Sequence, residues 1–168
     1  MAPATVPAPA PGVLPHIERL LVSSDDSEHS TDAIHEALRI AKKSGARVRV
    51  IHMISHASTE LTANTDLIPK AALSRARKHL DEVEHEALAA GVTCETEVVH
   101  TSLRLFQEIV NQAKNMNADL VVMGQGGSRG LARVRLGEAT AKVIGHAHCS
   151  VLVVPRNAGN IGQRIVLA

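Results

Sequence analysis

The sequence predicts an α/β protein, one domain built on a doubly wound sheet of five parallel strands with helices on both faces. Three observations predict it. Five short runs rich in Val, Ile and Leu alternate with segments whose apolar residues recur at steps of three and four. The chain has 168 residues, 45% hydrophobic and 21% charged, which suits a single globular domain with a sizeable core. It also has one Phe and neither Trp nor Tyr, so that core must be aliphatic.

Ile17–Ser24 is a short apolar run ending in small polar residues, as a buried strand would. After Asp25, Asp26, Ser27 and Glu28, the residues Ile34, Ala37, Leu38 and Ala41 mark a helix, with Ser27 as its N-cap and Gly45 as its stop. Val48–Ile54 is a second strand, and residues 55–68 read as a loop. Leu73, Ala76, Leu80, Val83, Ala87 and Ala90 trace a long amphipathic helix closed by Gly91. Val92–His100 alternates, as a strand with one more exposed face would. Leu103–Lys114 is helical, with Leu105, Phe106, Ile109, Val110 and Ala113 facing inward. Asp119–Met123 is a buried strand, Glu138–His146 a helix, and Val151–Val154 the last strand, closed by Pro155.

Composition excludes several function classes. A formal net charge of +1 gives no bulk attraction to nucleic acid or to an anionic membrane. Stacking platforms for single-stranded nucleic acid need aromatic faces, and there are too few here. No apolar run approaches the length of a membrane span. Residues 1–15 hold five of the seven prolines and lack the basic start of a signal peptide, so they read as an extended tail. The expected layout is therefore a tail over 1–15, a domain over 16–156 and a second tail over 157–168. Cys94 and Cys149 are too few for a disulfide scaffold, and a reducing, cytoplasmic setting is expected.

Chemistry concentrates between Val121 and Val154. Gly124, Gly126, Gly127 and Gly130 crowd a strand-to-helix connection, and Gly137 opens the next helix. Glycines let a ligand approach the backbone, and converging N–H groups at a helix start favour an anion. Arg129, Arg133 and Arg135 add positive charge nearby. Neither the P-loop nor the G-x-G-x-x-G pattern fits. The spacing that fits is G-x2-G-x9-G, at Gly124, Gly127 and Gly137. His146, His148 and Cys149 at a helix-to-strand junction need not converge on a metal. Asp25 and His52 lack the G-x-S-x-G elbow that a serine hydrolase would need. In such sheets ligands bind beyond the strand ends where the order reverses.

The G-x2-G-x9-G spacing resembles the nucleotide motif of the universal stress protein family. Leu20–Ile54 resembles that family's opening strand, acidic turn, helix and second strand, and His146–Pro155 its closing strand. The resemblance implies a sheet in the order 3-2-1-4-5 and adenine-nucleotide binding, ATP or AMP, with Mg²⁺ allowed. It further implies that Asp25 contacts the ribose and that the Met53 backbone meets the adenine. Met123 and Gly124 would lie beside base and ribose, with Gly127, Gly137 and Ala139 near the phosphates. Family members dimerise by antiparallel pairing of the strand equivalent to Val151–Val154, so a homodimer is expected here, with an unknown protein partner also allowed.

Departures from the pattern qualify this. Glu138 stands where the family has Ser or Thr; a carboxylate cannot donate to a phosphate oxygen and repels it unless a cation intervenes. Asp26 replaces a glycine, Gly126 a common histidine, and Leu103-Arg104-Leu105 stands near a missing G-x-P turn. The reading is a nucleotide-binding stress-response module with at most weak ATPase activity, since no positioned general base is evident. Its rivals are a dimeric interaction platform that binds no nucleotide, and a slow nucleotide hydrolase.

Overall fold

The computed structural model describes residues 16–25, 27–55, 70–101, 103–126 and 136–155. Along them run β1 (Arg19–Ser24), α1 (Glu28–Ser44), β2 (Arg47–Ser55), α2 (Lys70–Ala90), β3 (Cys94–Thr101), α3 (Leu105–Asn115), β4 (Leu120–Gly124), α4 (Glu138–His146) and β5 (Ser150–Val154). Every strand pair is parallel, and the sheet order is β3-β2-β1-β4-β5, as the resemblance implies. The expected tails over 1–15 and 157–168, most of the 55–68 loop, and Asp26, Gly127, Arg129, Gly130, Arg133 and Arg135 lie outside the described residues.

Strand alternation divides the core into two layers. Leu20, Val22, Val48 and Val50 face α1 and α2, where they meet Ala33, Ile34, Ala37, Leu80 and Val83. Leu21, Ile51, Val121 and Met123 face α3 and α4, where they meet Ile109, Val110, Ala113 and Val143. β1 and β4 are covered on both faces, so Leu20–Val22 and Leu120–Met123 are buried without a break. Each such Leu, Ile or Val contributes roughly 1.5–3 kcal/mol by leaving water.

Local signals set the helix ends. Ser27 caps α1, its Oγ accepting from Ser30 N at 3.3 Å, and Gly45 ends it in the left-handed region at φ 75°. Lys42 and Lys43 in its last turn suit the negative end of the helix dipole. α2 buries Ala76, Leu80, Val83 and Ala87, four of the six positions read from the periodicity.

Several bounds shift. β1 starts two residues later than expected, while β2 includes Ser55. Val92 precedes β3: its N–H donates to the Ala87 carbonyl in the turn after α2. α3 starts at Leu105, with Gln107 Oε1 accepting from Arg104 N at 3.3 Å. Leu105 is therefore in the first turn and 39% exposed, not inward.

Candidate functional site

The order β3-β2-β1-β4-β5 reverses direction between β1 and β4, which opens a crevice beyond their carboxyl ends. There the described residues enclose a cleft of about 210 Å³. Asp25, Met53, Met123, Gly124, Gly137, Glu138 and Ala139 all line it. Of the expected site residues, only Gly127 lies outside the described chain. The arrangement joins three loops far apart in sequence: the turn after β1, the end of β2 and the connection from β4 to α4.

The first wall is the start of α1. Asp25 Oδ1 accepts from Ser27 Oγ at 2.5 Å and from Ser27 N at 3.2 Å, closing a turn that sets the helix entry. Burial pushes the Asp25 carboxyl up, but hydrogen bonds from Ser27 and Ser30 outweigh it and hold its pKa below the usual aspartate value. The carboxylate is thus charged and retains acceptor capacity for a hydroxyl.

Behind it lies a chain of hydroxyls. Ser30 Oγ donates to the Ser27 carbonyl at 2.9 Å, so it accepts from Ser24 Oγ at 3.3 Å. Ser24 Oγ in turn lies 2.8 Å from His79 Nε2 on α2, within hydrogen-bond distance. This contact ties α2 to the cleft floor. His52 points to the same side, its ring 6.0 Å from that of His79, whereas Met53 turns to the opposite face and reaches the cleft.

The second wall is built from β4 and α4. Gly124 has no space for a side chain: a Cβ there would lie 2.4 Å from the His29 carbonyl oxygen. Gly126 follows at φ +56°, a left-handed conformation that favours glycine. Gly137 N donates to the Gln125 carbonyl at 2.9 Å, and a Cβ on Gly137 would touch Gly126 Cα at 3.4 Å. The two ends of the glycine loop are therefore pinched together. Thr140 Oγ1, buried, donates to the Gly124 carbonyl at 3.3 Å and pins α4 to the strand end.

Gly137 is the N-cap of α4 and brings no capping side chain. The amides of Glu138, Ala139 and Thr140 thus open the helix without an intrahelical acceptor, and the helix dipole favours an anion in front of them. Glu138 does not fill that position. Its side chain is 83% exposed and turns back along the helix to Lys142, one turn on. The Lys142 hydrogen bond and charge, with Arg104 farther off, hold the Glu138 carboxyl below the usual glutamate range. The neutralising cation was readable as a Glu–Lys i,i+4 pair.

Ser23, Ser24, Ser27, His29, Ser30, Gly126 and Thr140 also line the cleft and were not picked out as ligand residues. Five of them are serines or a histidine, Ser23 and Ser24 at the end of β1 and Ser27, His29 and Ser30 at the start of α1, a density of short polar groups that does signal a polar pocket. His29 Nδ1 is buried and has no hydrogen-bond partner among the described residues. Thr140 gave no signal, because its role depends on the Gly124 carbonyl.

Comparison with known proteins gives a consistent answer. A family model described as the universal stress protein family matches residues 16–155. A universal stress protein of Synechocystis sp. is 32% identical over 151 residues, covering 81% of this chain and 96% of that protein. A universal stress protein solved in complex with cAMP superposes with a TM-score of 0.66 at 26% identity, over 84% of this chain and 99% of the other. A family protein from Arabidopsis thaliana, solved with AMP bound, superposes with a TM-score of 0.58 at 20% identity, over 87% and 97%.

Proposed function

This chain belongs to the universal stress protein family, and on that premise we propose that its cleft holds an adenine nucleotide, AMP or ATP, in a dimeric binding and regulatory module of the stress response. The observation that carries the reading is the α4 start. Three backbone amides face the cleft behind a glycine N-cap, and the Glu138 side chain beside them is paired with Lys142. Relatives solved with cAMP and with AMP bound support an adenine base over other ligands.

In this arrangement the phosphate lies over Gly137, Glu138 and Ala139. Asp25, charged at neutral pH, accepts from the ribose hydroxyls. Met53 and Met123 supply an apolar edge on either side of β1 for the base, and Gly124 lets the ribose approach the backbone. Mg²⁺ would travel with the ATP phosphates, because no group of three His, Cys, Asp or Glu side chains gathers among the described residues. Asp25 is tied to Ser27 and does not stand ready to abstract a proton, so ATP turnover stays below about one per second.

The dimer forms through β5. It is an edge strand of the sheet, where unpaired N–H and C=O groups invite a second copy. Val151–Val154 pairs antiparallel across a two-fold axis. Both cysteines are free thiols, in keeping with a cytoplasmic setting.

The test is to heat-denature the purified protein, identify released small molecules, and titrate the emptied protein with adenosine, AMP, cAMP and ATP by calorimetry. Release or binding of an adenine nucleotide, weakened about tenfold by Asp25→Ala, is expected. No release and no heat at millimolar AMP or ATP would overturn the reading and leave the dimeric platform as its successor.

A further inference from the structure

A second group of charges sits at the other end of the sheet. Arg19 stands in register with Arg47 across β1 and β2, and Arg49 with Glu95 across β2 and β3. Residues in register across a parallel pair share a face, as do positions two apart in one strand. Arg19, Arg47, Arg49 and Glu95 therefore lie on one face, the one that farther along carries Leu21, Ile51 and Val99. With Thr93 and Met116 they line a hollow of about 140 Å³.

Three guanidinium groups meet there, two of them paired with carboxylates. Arg49 Nη2 is 3.0 Å from Glu95 Oε2, and Arg19 Nη2 is 3.1 Å from Asp119 Oδ1. Two donors remain. Arg47 has no ion-pair partner among the described residues, and Arg19 Nε is buried with no acceptor among them. The end of α3 does not supply one: its Gln112, Ala113 and Lys114 carbonyls accept from the Met116, Ala118 and Asn117 amides. Like charges set opposite each other on neighbouring strands are destabilising. A buried N–H without an acceptor is as well. One ligand would relieve both, and it must carry negative charge and accept hydrogen bonds.

We propose that this hollow is a binding site for a small oxyanion, a free ion bearing a phosphate or carboxylate group, held by Arg47 and by Arg19 Nε. The planar guanidinium fork suits such an ion. At about 140 Å³ the hollow has room for a small ion of a few non-hydrogen atoms. It lies at the opposite strand ends from the cleft, and the proposal stands whether or not the cleft takes a nucleotide.

The test is an NMR titration of the full chain with inorganic phosphate, ionic strength held constant with sodium chloride. Resonances followed are the arginine Nε–H groups and the amides of residues 47–49 and 93–95. Saturable shifts of Arg19 Nε–H and those amides are expected, with affinity reduced about tenfold in Arg47→Ala and less in Arg47→Lys. Arg47 is exposed, so both variants should keep wild-type amide dispersion. Acetate in a parallel titration separates the two sources: saturation by acetate alone assigns the site to carboxylates, saturation by phosphate alone to phosphate. Shifts linear in both anions, shifts spread evenly over all exposed arginines, or an Arg47→Ala protein that titrates like wild type would overturn the proposal.

Discussion

Gly124→Ala isolates what a single methyl group does at the strand end. The backbone at Gly124 is not left-handed, so alanine meets no conformational penalty there. The penalty is contact: the new Cβ would lie 2.4 Å from His29 O, 2.6 Å from His29 C and 2.9 Å from His29 Cβ. Ordinary contact begins at 3.4 Å, so the start of α1 must move away by about 1 Å. Two of these atoms are backbone, and no rotamer change relieves them. Overpacking of this kind costs about 1–3 kcal/mol. For a chain of this size that lowers Tm by about 2–4 °C per kcal/mol. The moving turn carries Ser27, His29 and Ser30, all of which line the cleft, so nucleotide affinity falls about tenfold, equivalent to one hydrogen bond lost. Urea unfolding followed by circular dichroism gives the stability and calorimetry with AMP the affinity. Gly145→Ala is the control of opposite sign: its Cβ meets nothing within 4 Å, and near the end of α4 it stabilises by up to about 1 kcal/mol. A Gly124→Ala protein within 0.5 kcal/mol of wild type, with unchanged AMP affinity, would refute the contact argument.

Glu138→Ser should tighten ATP binding by less than about tenfold and leave adenosine unchanged, because Lys142 already offsets the carboxylate; calorimetry with both ligands checks it. Asp119→Ala removes the acceptor of Glu18 N, Arg19 N and Arg19 Nη2 and should cost about 1–3 kcal/mol in urea unfolding. The Asp119 and Asp25 carboxyls both have folded pKa values below the ordinary 3.8. Their contributions are present above that value and lost as pH falls below it, so the stability deficits of Asp25→Asn and Asp119→Asn against wild type should be present in urea unfolding at neutral pH and shrink as pH is lowered through that range. Val153→Pro removes a β5 N–H and should convert the proposed dimer to monomer in size-exclusion chromatography with light scattering.

Much of the fold was legible because its signals are local. The Ser27 cap and the Gly45 stop needed only their own side chain or its absence, and both stand where the pattern put them. α4 matched to the residue, since Gly137 before it and the β5 run after it leave little room. The misses are also local in origin. Val92 continues the alternation of β3, but the turn that closes α2 takes its N–H, and a hydrophobic pattern is blind to that competition. Leu105 keeps helical spacing with Ile109 yet sits in the first turn at the rim of the cleft, beyond the sheet that would cover it.

The site was legible in a different way. G-x2-G-x9-G marked a loop, but spacing says only that glycines are present, not why. Gly127 lies outside the described residues, but Gly124, Gly137 and the neighbouring Gly126 each have a separate reason in the fold. Gly124 makes room for the α1 backbone, Gly126 takes a positive φ, and Gly137 closes against Gly126 while leaving the α4 amides uncapped. Two of those reasons depend on partners at distant positions, His29 and Gly126, and no one-dimensional reading contains them. The doubt about Glu138 shows the converse. Its charge was plain in the sequence and its direction was not: the same carboxylate that would repel a phosphate from one rotamer is paired to Lys142 in another. Charge at a helix start therefore bears on anion binding only through geometry. At this helix the Lys142 pairing offsets the charge of Glu138, and ATP affinity in Glu138→Ser against Lys142→Ala measures how far. If Lys142→Ala weakens ATP in the wild-type background but not in Glu138→Ser, the pairing is what keeps the site usable.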